Sequence, residues 1–289
     1  MIWNDNPSDE ERIKWFVELY EVCQVPEAAR LLRASAPVGQ LSLAEAQRLV
    51  GATWHAMQSS FSRRAQFEQA FEFAHRLTSR AIVTRFGEGI PFIDATIEEP
   101  WRYFQCLSGA NRLIGRSDDK TIESELRLDM IAFAQILLKE GVVGSVTNQL
   151  LAYVRAGHDF KNADIAKAFV DPGYLVDGKE ILRSERRSAK IPEILLGRLR
   201  NTIAHGRFVY NPVRRVIWFQ DVSKRDTTDV YEAEISYDGF TSITKDLYMR
   251  AAIATAYLTW LQIWTMTIAQ VTDVFDLGAA RVRGDILPP

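Results

Sequence analysis

The sequence lacks most features by which metalloproteins, secreted proteins and nucleotide-binding enzymes are identified. It contains only two cysteines, Cys23 and Cys106, which have neither zinc-ligand spacing nor a disulfide framework. No glycine-rich phosphate loop, nucleophile elbow or internal repeat occurs in it. The first residues lack the basic and apolar regions of a signal peptide. We therefore expect no metal, no cofactor and a cytoplasmic location.

A strong excess of charge is also missing. The formal net charge is −2 over 289 residues, and 47% of the residues are apolar. This composition is ordinary for a globular protein and argues against one that coats nucleic acid with its whole surface. A local basic patch remains compatible with it.

Only one stretch is free of charge over a length that could span a bilayer, Ala251 to Thr272, which has 22 residues. Within it, Thr255, Thr259, Gln262 and Thr265 form a polar stripe at helical spacing. The stripe favours a bundled helix with one wetter side over a membrane span. We expect no membrane association.

Apolar spacing predicts helices over most of the chain. Capping boxes are predicted at Ser8 with Glu11 and at Ser42 with Glu45, within an N-terminal helical segment of residues 1–60. The rest, residues 61–289, is predicted to be a single helical domain. It includes an amphipathic helix from Thr121 to Lys139, whose aligned apolar residues are Leu126, Met130, Phe133 and Leu137.

Short β-rich runs interrupt the helices late in the chain. Phe208–Tyr210, Val216–Phe219 and Val230–Ile235 predict a small antiparallel hairpin or three-stranded sheet. A last long helix is predicted from Thr241 to Phe275, after Asp238-Gly239. The predicted fold class is thus mainly α, a helical bundle with this small antiparallel sheet inserted before its last long helix.

The stretch from Leu195 to Tyr210 concentrates the polar residues that look suited to chemistry. Its helix is predicted to end at Gly206, which can take the left-handed conformation at C′. Arg200, Asn201 and His205 then lie at the helix end, away from the core. At ~100° per residue, Arg200 and His205 diverge by roughly 140° around a regular helix.

The run from Arg200 to His205 resembles the Arg-x4-His signature of HEPN domains, the helical ribonucleases of toxin and phage-defence systems. The polar Asn201 directly after the arginine also fits that pattern. The resemblance implies a HEPN-type bundle over residues 61–289 and a homodimer with a composite site. An antitoxin or another regulatory protein is a further partner that it implies.

The same resemblance implies metal-independent RNA cleavage to 2′,3′-cyclic phosphate and 5′-hydroxyl ends. His205 is expected to transfer protons, because histidine changes charge near neutral pH. Arg200 is expected to hold the phosphate, and Asn201 to orient His205 or donate to phosphate. The predicted substrate-binding residues are Lys190, Arg198, Arg207, Arg214 and Arg215.

Charge supports an RNA substrate locally. Ten basic and three acidic residues lie between Lys179 and Arg215, a concentration that suits a phosphate backbone. Two structural interpretations stay open: Arg200, Asn201 and His205 could simply cap and solvate a helix end, and part of the basic run could be a solvated helix face. The functional alternatives are a non-catalytic RNA-binding or dimerisation module and a structural subunit of a defence complex.

Overall fold

The protein is mainly helical and contains one small antiparallel sheet. The structure, a computed structural model, describes residues 8–37, 40–61, 100–143, 145–146, 199–222, 227–228, 230–264 and 266–267. Within these ranges, the predicted fold class of helices with an inserted antiparallel sheet is confirmed.

Three helices form the N-terminal part: α1 (Asp9–Val22), α2 (Pro26–Ala34) and α3 (Leu43–Phe61). Both predicted capping boxes are present. Glu11 accepts from the backbone of Ser8 at 2.8 Å, and Glu45 accepts from that of Ser42 at 2.9 Å. Since each carboxylate satisfies a backbone donor that the helix leaves free, the sequence fixes where these helices begin.

The next two helices form an antiparallel hairpin, α4 (Pro100–Ser117) and α5 (Ser124–Leu138). A π-helical turn, Lys139–Val143, continues α5. This turn passes so close to α4 that a Cβ atom placed on Gly141 would collide with the sulfur of Cys106. A side chain at this position would therefore force the Cys106 side chain or the π-turn to shift.

The apolar side predicted for α5 is only partly used for packing. Leu126 is 50% exposed and Phe133 is 56% exposed, whereas Leu128, Ile131 and Leu138 are buried. The helix is apolar on two sides, and its periodicity does not reveal which of them meets the bundle. Leu137, which the sequence aligns with Leu126 and Phe133, does pack against the core, so the predicted apolar side contributes to the packing only in part.

The sheet contains β1 (Phe208–Asn211), β2 (Val216–Val222) and β3 (Val230–Ser236) in that order. Both pairings are antiparallel. Ile217 and Phe219 of β2 are buried, and Trp218 between them points outward. The prediction of three strands is confirmed, with β2 extending three residues beyond Phe219.

The last helix, α6 (Tyr237–Trp264), begins directly after β3 rather than after Asp238-Gly239 as predicted. The reason is an N-cap, because the Ser236 hydroxyl accepts from the backbone N–H of Gly239 at 3.1 Å. The predicted continuation to Phe275 lies outside the described residues.

The polar stripe of α6 has no wetter side, contrary to prediction. Thr255 and Thr259 are fully buried, and Gln262 is 4% exposed. Each threonine hydroxyl donates to the carbonyl one helical turn earlier, at 2.8 Å, so neither hydroxyl is left without an acceptor. Thr265 lies outside the described residues.

Helix α6 forms the centre of the bundle. Trp260 is fully buried, its ring centroid lies 4.8 Å from that of Trp54, and its Nε1 donates to the Val50 carbonyl at 3.0 Å. Tyr248 similarly donates to the Val22 carbonyl at 2.6 Å, which joins α6 to α1. Among the described helices, none is both long and apolar enough to cross a membrane.

Candidate active site

The motif helix, described over residues 199–204, ends as the sequence predicts. Gly206 has a φ of 64°, in the left-handed region. Its N–H donates to the Ile203 carbonyl at 3.1 Å, and the Arg207 N–H donates to the Thr202 carbonyl at 2.7 Å. These two bonds form a Schellman motif, with His205 as the C-cap residue and Gly206 at C′. The chain then enters β1 after Arg207.

Arg200 is held by an acidic residue that the sequence did not suggest. Its buried Nε lies 2.7 Å from Oε1 of Glu140, in the π-turn after α5. The Nε–H is not aligned with an acceptor, so the contact is an ion pair rather than a directed hydrogen bond. No other acceptor among the described residues engages the guanidinium. Among the residues that the structure describes, nothing therefore keeps its terminal nitrogens from binding an anion.

Glu140 owes its place to the π-turn. Such turns insert one extra residue into a helix and often occur at functional sites. The turn is held against α4 because Gly141 packs beside Cys106 with no room for a side chain. The position of Arg200 is thus linked, through Glu140, to the α4–α5 hairpin.

Asn201 points toward the sheet instead of toward His205. Its Nδ2 lies 3.5 Å from Oδ2 of Asp221, a long hydrogen bond between the motif helix and β2. Asp221 is only 7% exposed, and a buried carboxylate needs a polar partner. The predicted role of Asn201 in orienting His205 therefore has no contact to support it, and Asn201 joins the helix to the sheet.

His205 and Arg207 are both exposed on the turn that connects the motif helix to β1. Within the described part of the chain, neither side chain has a hydrogen-bond or ion-pair partner. The His205 backbone N–H donates to the Asn201 carbonyl at 3.1 Å, so the helix stays regular up to the histidine. The divergence between Arg200 and His205 expected for a regular helix therefore remains.

The other predicted substrate-binding arginines are already paired. Arg214 contacts Glu234 at 2.8 Å, and Arg215 contacts Asp238 at 3.2 Å. Lys190 and Arg198 lie outside the described residues. Of the predicted basic residues that the structure describes, only Arg207 offers an exposed and unpaired charge.

Sequence reasoning missed both acidic partners. Asp221 could have been found, because it continues the inward alternation of Ile217 and Phe219 and a carboxylate there needs a partner. Glu140 gives no such signal, since it is far from Arg200 in sequence and a π-turn carries no known spacing pattern.

No group of three or more metal-binding side chains occurs among the described residues. The polar atoms of this site are arginine, amide and imidazole nitrogens, with carboxylates that are already paired. Comparison of the chain with protein-family models, with curated proteins and with solved structures found no match.

Proposed function

We propose that this chain is a metal-independent endoribonuclease of the HEPN type, with Arg200 and His205 as catalytic residues. The supporting observation is their setting at the end of the motif helix. His205 and Arg207 are exposed and have no side-chain partner among the described residues, and Arg200 is anchored at Nε with no described acceptor at its terminal nitrogens. An imidazole next to free guanidinium groups suits a phosphodiester substrate.

The reaction uses the substrate's own 2′-hydroxyl as the nucleophile. Its oxygen forms a bond to the adjacent phosphorus while the bond from phosphorus to the 5′-oxygen breaks. His205 accepts the 2′-hydroxyl proton, and the leaving 5′-oxygen takes a proton from a second acid, the partner's histidine or water. Arg200 stabilises the charge that develops on the phosphorane oxygens. The products are a 2′,3′-cyclic phosphate and a 5′-hydroxyl.

The test is cleavage of mixed RNA by the purified protein in EDTA, followed by analysis of the termini. We expect cyclic-phosphate and 5′-hydroxyl ends, and loss of cleavage in Arg200→Ala and in His205→Ala. Both side chains lie outside the core, so circular dichroism should show both variants folded. Cleavage at the wild-type rate by both variants would refute the assignment.

A homodimer with a shared site is the proposed working unit. On a regular helix the two catalytic side chains diverge by roughly 140°, and a two-fold axis can bring Arg200 of one chain to His205 of another. Refolding Arg200→Ala together with His205→Ala should restore part of the activity, because one site in each mixed dimer is whole. An active monomer in sedimentation would exclude this arrangement.

One observation favours a non-catalytic RNA-binding or dimerisation module instead. No group among the described residues contacts the His205 imidazole, so nothing there fixes the tautomer that proton transfer needs. That function predicts RNA binding without new termini in EDTA, and the same assay therefore separates the two.

A further inference from the structure

The outer face of the sheet carries an exposed aromatic side chain close to the candidate active site. Trp218 is 37% exposed on β2, and Val209 directly opposite on β1 is 62% exposed. The pairing with β2 also includes the residue before β1, because the Gln220 N–H donates to the Arg207 carbonyl at 3.0 Å. Since side chains alternate along a strand, Arg207 and Val209 lie on the same face as Trp218.

The charges on this face separate into two halves. On the β3 side, Glu234 is paired with Arg214 at 2.8 Å, and Glu232 accepts a hydrogen bond from Gln220 at 2.9 Å. On the β1 side, Arg207 has no carboxylate partner among the described residues. The half of the face that leads to His205 is therefore apolar and positively charged.

We propose that Trp218 and Val209 form a base-binding subsite for single-stranded RNA, with Arg207 contacting the phosphate between this base and the cleavage site. Every base has a π-face, so an exposed tryptophan beside a cation binds single strands with little dependence on sequence. The bases of a duplex are already stacked on one another and cannot reach it. This inference rests on the proposed function in taking His205 to mark the scissile phosphate.

Strand geometry sets the position of the base. Val209 is the fourth residue after His205, so at ~3.4 Å per residue the two are at most about 14 Å apart. Trp218 lies one strand spacing of ~5 Å to the side of Val209. Since a stacked nucleic-acid strand advances ~3.4 Å per nucleotide, this span corresponds to at most about four nucleotides. The subsite should therefore read a base near the cut rather than a distant anchor.

Binding is measured first, in a His205→Ala background that leaves RNA intact. The probe is a fluorescent single-stranded oligonucleotide, with a duplex of the same sequence for comparison. Adding Trp218→Ala should raise the single-strand Kd by about 5- to 30-fold, the lower part of the range for base stacking because the ring is only partly exposed. Trp218→Phe should recover most of the loss, and duplex binding should not change.

The matched control is Leu126→Ala, which removes an apolar side chain from α5 that is more exposed than Trp218 and should leave the Kd unchanged. If Trp218→Ala weakens single-strand and duplex binding equally, or if Trp218→Phe fails to recover affinity, the stacking subsite is refuted. If Trp218→Ala leaves every Kd unchanged, the subsite is also refuted, and the face is free to bind a protein.

Position is tested by cleavage with wild-type His205. In oligonucleotides cut at one site, a single abasic residue is moved stepwise away from the cut. KM should rise at one position within about four nucleotides of the cut, and Trp218→Ala should lose this dependence while keeping kcat. Uniform KM values along the series would refute the subsite but not the nuclease. Binding that depends on Trp218 in a protein that never cleaves RNA would refute the nuclease and support the subsite.

Discussion

Replacing Glu140 by glutamine removes the charge that holds Arg200 while keeping the size of the side chain. Glu140 lies at Nε, and no acceptor in the described part of the chain engages the terminal guanidinium nitrogens, an arrangement that suits a bidentate donor to phosphate. We therefore expect Glu140 to position Arg200. The Glu140→Gln variant should cleave RNA more slowly, with a lower kcat and little change in KM.

The magnitude follows from exposure and side-chain entropy. The two side chains are 37% and 53% exposed, so the pair should contribute only about 0.2–1 kcal/mol to the free energy of unfolding. For catalysis, the upper limit is the rotamer entropy of an arginine, ~2 kcal/mol, or roughly 30-fold in rate. Arg200→Ala removes the donor itself and should cost roughly 10²–10³-fold.

A double-mutant cycle measured by single-turnover cleavage checks this reasoning. Because Glu140 acts through Arg200, the double variant with Arg200→Ala should be no slower than Arg200→Ala alone. The control is Glu21→Gln, which breaks a similarly exposed ion pair with Arg33 at 2.6 Å and should not alter cleavage. Additive losses would mean that Glu140 acts independently of Arg200. Faster cleavage by Glu140→Gln would mean that the Glu140 carboxylate competes with RNA for Arg200.

Three further predictions concern charge, packing and pH. Arg207→Ala should lower the slope of log Kd against log salt concentration by about 0.7, whereas Arg215→Ala should change it less because Arg215 is already paired with Asp238. Equal effects of the two variants in a salt titration would contradict this. Gly141→Ala should destabilise the fold by ~1–3 kcal/mol in thermal unfolding, because its Cβ meets the Cys106 sulfur, and Cys106→Ala should recover part of the loss. Burial raises the pKa of the Cys23 thiol, so the unfolded chain loses this proton at a lower pH than the folded protein does. The free energy of unfolding should therefore be unaffected by this group below about pH 8.5 and fall by up to ~1.4 kcal/mol per pH unit above it. Cys23→Ala should remove that part of the slope in urea titrations, and an unchanged slope would rule it out.

Local chemistry made the element boundaries predictable where it was complete within a few residues. Ser8 and Ser42 form capping boxes with Glu11 and Glu45 and so mark the starts of their helices. Gly206 ends the motif helix because it can take a positive φ. Ser236 is also a local N-cap, but Asp238-Gly239 resembles a turn, and the helix was therefore predicted to begin after it. The sheet was predictable because its strands are short and β-rich.

Tertiary choices were harder to predict. Periodicity finds an apolar side of a helix but does not show which of its residues are covered, and Leu126 and Phe133 are exposed although they align with the packed Leu137. The site shows the same limit. Arg200, Asn201 and His205 could be identified from adjacent residues, whereas Glu140 reaches Arg200 only through the packing of the α4–α5 hairpin.

The motif residues differ in whether the rest of the described chain contacts their side chains. Asn201 joins the helix to Asp221, and Arg200 is anchored to Glu140, so both are fixed by the fold. His205 and Arg207 are the residues of this turn whose side chains no described group contacts. In the proposed site, the described residues therefore fix the arginine and leave the histidine side chain without a partner. The proposed mechanism assigns the contacts to His205, which the described residues do not supply, to a second copy of the chain or to the RNA strand itself.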